Sequence, residues 1–453
     1  MRKLFWILPL IILTSMLALS GCSTSSNEVE PVDNNEIKKI TTEELSKKLS
    51  SEDWIIVDAR DTNAFNGWAL DGIKRGGRIS SAVDFSANWL KVEVDNKDTL
   101  LQEELKTKNI SNDKNIVLYD VNGKDAMDVA TYLSSEGYEN LYVYDFNEWI
   151  NDDSKEMVKY DGYKWIVPAS IVKDIVDGNK PETFENAGSI KMVEASWGET
   201  TESYDKGHVP GAIHINTDSV EPPPAWMLAD DDTLLKVMLD NGISSKDTVI
   251  VSSEYQMAAY RVALVLRYAG VEDVRVLNGG IGSWTLAGYE LETALNNPTP
   301  ISDFGASFPS NPDIIDTIDE VKELLNSDGF TLVDNRTWDE YIGLSSGYSY
   351  HDKMGRIPGA KFGYAGKTDS NSLDFYRNID NTMRNFDEII ALWNENGIDT
   401  NDQLSFMCGS GWRAAEVLYY ANVAGYENVS LYSDGWIGWS NAGLPSETGE
   451  PTE

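Results

Sequence analysis

The 453-residue chain is poor in cysteine, histidine and positive charge, and each shortage removes a class of function. Cys22 and Cys408 are its two cysteines, so no disulfide framework is available. Its three histidines, His208, His214 and His351, stand in no metal-ligand spacing with a cysteine, which argues against a structural zinc site. They also leave a Ser-His-Asp hydrolase few candidates. His208 and His214 flank the turn Val209-Pro210-Gly211-Ala212, and His351 sits in a polar loop. The 37 Lys and Arg residues face 74 Asp and Glu, a formal net charge of −37 at pH 7. Nucleic acid and anionic lipid both select basic surfaces, so neither a nucleic-acid partner nor electrostatic adhesion to lipid is expected. Acidity of this kind serves solubility and names no substrate.

What is present is enough for several globular domains. The length suggests about three, and 41% hydrophobic with 10% aromatic residues suits packed cores. The N-terminus is a targeting segment. Arg2 and Lys3 precede an apolar run over residues 4–19, too short for an ordinary spanning helix. The run ends in Leu19-Ser20-Gly21-Cys22, which resembles the bacterial lipoprotein lipobox. That resemblance implies a signal peptide over residues 1–22, a diacylglycerol on Cys22 and attachment to the bilayer outside the cytoplasm. A plain secretory signal or an uncleaved anchor are the alternatives. Residues 23–36 read as a polar, flexible tether. If Cys22 carries lipid, Cys408 is the one free thiol of the mature chain.

The chain repeats. Gly137-Tyr138-Glu139-Asn140 returns as Gly270-Val271-Glu272-Asp273 and as Gly425-Tyr426-Glu427-Asn428. Each copy precedes a β-rich run and then Trp149, Trp284 or Trp439. Upstream, each unit has an apolar strand ending in an acid: Asp58, Glu194 and Asp334. The units span residues 37–155, 160–296 and 312–447, with residues 296–311 as the clearest linker. Short β-branched runs alternate with helical segments, such as residues 42–49 and 317–325, each opened by a threonine able to cap. This alternation predicts α/β units with a largely parallel sheet, whose sites form at the carboxyl ends of strands.

Cys408 falls at such an end. The apolar run over residues 404–407 reads as a buried strand, Gly409-Ser410-Gly411 as a tight turn, and residues 414–424 as a helix. The glycines allow positive φ, so successive amides can converge on one point. That cup, with the helix N-terminus behind it and Arg413 beside it, would stabilise a thiolate or an anionic persulfide. The opposing reading is a small buried core residue. Register from the repeat sets Asp120 and Ser253 opposite Cys408, and Asp125 and Ala258 opposite Arg413. Neither of the first two units offers a thiol, and no base partners Ser253.

Taken together, Asp334-x-Arg336, Glu340-Tyr341-x-Gly343, Gly355-Arg356-Ile357-Pro358-Gly359-Ala360 and the Cys408 loop resemble the rhodanese (sulfurtransferase) superfamily. The resemblance covers nearly all of the mature chain as three tandem rhodanese-like domains, and is nearest to exported bacterial three-domain sulfurtransferases with a Cys-Gly-x-Gly-Trp-Arg loop. It implies ping-pong transfer of sulfane sulfur from thiosulfate or a related donor, through a Cys408 persulfide, to cyanide or a thiol. No cofactor is implied beyond the persulfide. By the same resemblance the amides of Gly409, Ser410, Gly411, Trp412 and Arg413 cradle the persulfide, the Arg413 side chain faces an anionic donor, and Ser410 donates a further hydrogen bond. Trp412 is expected mainly to pack. Asp334 and Arg336 correspond to a structural pair. The loop is Cys-x4-Arg, the sulfurtransferase length, one residue shorter than in related dual-specificity phosphatases. The donor stays open between thiosulfate and 3-mercaptopyruvate. Gly409 is not basic as in many thiosulfate enzymes. Glu340 and the polar insert 345–353 stand where mercaptopyruvate enzymes have arginines. A second reading of the whole chain is a non-enzymatic sulfur carrier or binding lipoprotein.

Overall fold

The computed structural model describes residues 37–451. The expected signal peptide, the tether and Cys22 lie outside the described residues. Three five-stranded sheets follow one another, and every pairing within them is parallel. With the strands of each sheet counted in chain order, the hydrogen-bonded order is first, fifth, fourth, second, third in all three. The expected α/β architecture is therefore present three times. The central fourth strands, Asn115–Asp120, Thr248–Ser252 and Gln403–Met407, are almost wholly buried because helices cover both faces.

The strand-end acids explain much of each core. Arg60 pairs with Asp58 at 2.6 Å and donates to the Gly77 carbonyl at 2.7 Å. Arg336 pairs with Asp334 at 2.6 Å and donates to the Gly355 carbonyl at 2.8 Å. In both units a buried arginine thus ties the second strand to the turn that follows it, the structural role expected for Asp334 and Arg336. The second unit has Ser196 in the arginine's place, and among the described residues Glu194 bonds only to Ser252 Oγ (2.6 Å) and the Glu254 amide (3.1 Å). With no cation near it, burial pushes the Glu194 carboxyl up to about 8.

One expectation needs correction. The first helix runs Thr42–Ser46 and is capped by Thr41, because the Thr-x-x-Glu box that closes on Glu44 begins one residue earlier. Its counterpart Ile318–Leu324 is capped by Thr317, as expected. The 296–311 stretch, read as a linker, has no regular secondary structure and packs on the second unit. Phe304 is buried, its carbonyl accepts from the Ser245 amide at 2.8 Å, and the Ile301 amide donates to Leu239 at 2.9 Å.

The second and third units share one core. Helices Gln256–Ala269 and Trp412–Ala424 follow the central strands of these units, and both are apolar on nearly every face. A helix of that kind has to be buried all round. These two pack on their own sheets and on each other, within one continuous cluster of buried side chains.

Candidate functional site

The central strand of the third unit ends at Met407 and delivers Cys408 to the carboxyl edge of the sheet. The thiol is 1% exposed and lies in the wall of a cavity of about 610 Å³ between the second and third units. Its loop is tied down by its carbonyls. Cys408 O accepts from the Trp436 amide at 2.9 Å and Gly409 O from the Ile437 amide at 3.0 Å. The Gly411 amide donates to Cys408 Sγ at 3.2 Å. Gly411 has φ +95°, and the helix Trp412–Ala424 starts directly after it. The predicted strand, turn and helix are therefore present, with one amide of the cup on the sulfur.

Gly409 has a separate reason to be glycine. A Cβ there would stand 1.9 Å from the Tyr348 hydroxyl, so the absence of a side chain lets that phenol lie on the loop. Tyr348 Oη also meets Arg413 Nη2 at 3.0 Å. Arg413 lines the cavity, but its charge is engaged. Nη1 and Nη2 make two 2.8 Å bonds to the two oxygens of Glu340 in a buried fork. Burial opposes ionisation of Glu340, yet the Arg413 charge and its two bonds prevail and hold the carboxyl down at about 2. The departure noted at Glu340 is thus the arginine's partner.

Ser410 and Trp412 line the same cavity. Trp412 packs as expected and also reaches across the unit boundary, where its indole Nε1 donates to Glu221. The remaining walls are aromatic. Trp226 and Tyr350 meet at 5.1 Å between ring centroids, Tyr348 and Tyr350 at 5.4 Å, and Tyr255 and Trp412 at 6.1 Å. Trp197, 60% exposed, stands at the rim. Among the described residues no cluster of three or more His, Cys, Asp and Glu side chains is arranged to hold a metal ion.

Sequence reasoning missed Tyr348, Tyr350, Trp197, Trp226 and Tyr255. The last three come from the second unit, and Trp197 directly follows its strand Ile190–Ser196. Trp197 and Tyr255 lie just past carboxyl strand ends, and that rule applied to every unit would have flagged them.

The rhodanese-like domain model matches residues 41–152, 171–287 and 317–442. The chain belongs to the rhodanese family. It is an enzyme of the sulfur-transferring rhodanese type, and enzymes of this fold work through a cysteine persulfide. It is 35% identical to the thiosulfate sulfurtransferase YnjE of Escherichia coli over 411 residues, covering 89% of this chain and 91% of that one. Among solved structures it resembles the anaerobic ergothioneine biosynthesis enzyme of Chlorobium limicola in complex with trimethyl histidine. That match has a TM-score of 0.86 and 35% identity, and covers 92% of this chain and 100% of that one. A structure of EanB bearing a cysteine persulfide, in a tetrahedral intermediate state with ergothioneine, matches with the same TM-score and identity, over 91% of this chain and 100% of that one.

Proposed function

We propose that the chain moves sulfane sulfur through Cys408. The observation that carries this reading is the lone thiol at a strand end, with the Gly411 amide on its sulfur and a cavity before it. The Cys408 thiolate attacks the outer sulfur of thiosulfate. The S–S bond of the donor breaks, sulfite leaves, and a Cys408 persulfide remains. Cyanide or a thiolate then takes the outer sulfur and regenerates the thiolate. Gly409, Ser410, Gly411, Trp412 and Arg413 form the floor on which the persulfide rests. Intact mass after incubation with thiosulfate, or with 3-mercaptopyruvate, tests this. A gain of about 32 Da that dithiothreitol reverses and Cys408→Ser abolishes is expected. No gain with either donor would leave the sulfur-carrier reading instead.

A second reading of the acceptor is favoured by the aromatic walls. With Arg413 neutralised by Glu340, the cavity offers ring faces rather than free positive charge, which suits a quaternary ammonium group. An aromatic betaine such as trimethyl histidine, the ligand of the Chlorobium enzyme, would fit that chemistry. Single turnover of the persulfide form with trimethyl histidine against cyanide separates the two: sulfur appearing on the betaine supports this reading, and sulfur passing only to cyanide sinks it. We further propose that Cys22 carries a lipid that holds the enzyme to the membrane outside the cytoplasm. Incorporation of labelled palmitate, lost in Cys22→Ser, is the expected result.

A further inference from the structure

The second unit has no thiol, yet one of its side chains lies directly behind the Cys408 loop. Arg261, on the helix Gln256–Ala269, is 0% exposed. Its Nε donates to Glu221 Oε1 at 2.8 Å and its Nη2 to Ser433 Oγ at 2.7 Å. Its Nη1 is buried and has no acceptor among the described residues. A Cβ placed on Gly411 would stand 3.0 Å from that Nη1 and 3.2 Å from Cζ. The guanidinium therefore lies against the residue whose amide reaches the Cys408 sulfur. Glu221, its counter-ion, also accepts from the Trp412 indole, so the ion pair and the loop are linked on two sides.

The repeat gives this placement a counterpart. The register that sets Ser253 opposite Cys408 sets Arg261 opposite Glu416. Glu416 is equally buried; it is paired with Arg377, whose Nε donates to it at 2.7 Å, and it also accepts from Gln256 Nε2 at 3.0 Å at the start of the second unit's helix. The two paired helices thus exchange charges. A guanidinium paired with Glu221 stands behind the loop that carries a thiol, and a carboxylate paired with Arg377 near the loop that carries a serine. At low dielectric the Arg261 Nη1 edge, which has no acceptor among the described residues, favours a thiolate or persulfide in front of it.

We propose that Arg261 is a positioning residue for the Cys408 site, and that the second unit completes this site by placing a buried cation behind its loop. The proposal rests on Cys408 as the reacting thiol. Its test is the rate of alkylation of the Cys408 peptide by iodoacetamide at pH 7, in the full-length chain, alongside kcat and KM for thiosulfate. Arg261→Met is expected to slow alkylation and lower kcat about tenfold. KM is expected to move less than about threefold, because Arg261 does not line the cavity. Arg261→Lys should recover part of the loss. Glu221→Gln keeps an acceptor for Trp412 but removes the counter-charge, and alkylation should not slow. The proposal is overturned if Arg261→Met alkylates within about twofold of wild type, or if Glu221→Gln slows alkylation as Arg261→Met does, which would leave Arg261 a scaffold only. Alkylation reads the thiol whether or not sulfur is transferred. A wild-type chain that alkylates rapidly but turns over no donor would sink the sulfurtransferase reading and leave this one standing.

Discussion

The first and third units build the same cradle and fill it differently. In the third, the Gly411 amide points at a thiol three residues before it, 3.2 Å away. In the first, the Gly123 amide points at the Asp120 carboxylate, also three residues before it, at 3.0 Å, and the Ala126 amide takes the other oxygen at 2.9 Å. Burial holds the Asp120 carboxyl above its usual range, although these amide bonds act against that rise. In the first and third units the strand–loop–helix therefore aims backbone amides at one side chain. In the first unit a fixed carboxylate with no transferable atom takes that place permanently. In the third, a thiol leaves room for one more sulfur. Around the loops the contrast widens: Arg413, held in a fork with Glu340, is replaced by Asp125, so the first unit has no such buried ion pair beside its loop.

The largest expected effect comes from erasing this difference. Cys408→Asp installs the first unit's internal anion in the third. Thiosulfate:cyanide transfer should fall by at least about a thousandfold, with the fold retained by circular dichroism. Turnover near wild type would mean that the sulfur-bearing group lies elsewhere. Next, Glu340→Gln leaves Arg413 buried without its counter-ion, and denaturant unfolding at pH 7 should show a loss of about 3 kcal/mol. Because the folded Glu340 carboxyl sits at about 2, below its ordinary value, its contribution is present at neutral pH and disappears as the pH falls towards 2.

The second unit sharpens the contrast with the opposite sign. Glu194 is raised to about 8, so the folded state holds a proton that the unfolded chain releases. Wild-type stability should therefore decline from about pH 5 to pH 8 by a few kcal/mol through this group, and Glu194→Gln should flatten that decline. Parallel profiles for the two proteins would mean that Glu194 finds a cation in solution after all. The smallest effect is expected for Tyr348→Phe, which removes one bond to Arg413. A loss of about 1 kcal/mol in unfolding free energy, with persulfide loading retained, is the anticipated result.

Much of the fold was legible before any coordinates because its signals are local. The repeated Gly-Tyr-Glu-Asn motif, the apolar strands ending in Asp58, Glu194 and Asp334, and the glycines around Cys408 each declare themselves within a few residues. Local reading erred where two neighbours competed for one role, as Thr41 and Thr42 did for the first cap. Glu340 shows the harder limit. In the sequence it was a mismatch to a family pattern, and in the structure it neutralises Arg413, 73 positions further along the chain.

By itself, the sequence determined that three parallel α/β units exist, that one of them carries a thiol at a strand end, and that the loop there suits a sulfur anion. These follow from periodicity, from the φ freedom of glycine and from which residue occupies one position. Only the tertiary structure decided what faces that thiol. The aromatic walls from Trp226 and Tyr255, the Tyr348 hydroxyl on Gly409 and the Arg261 guanidinium behind Gly411 are supplied by distant segments. They meet there because two helices, buried on nearly every face, pack against each other, and that packing carries the second unit's side chains to the third unit's loop.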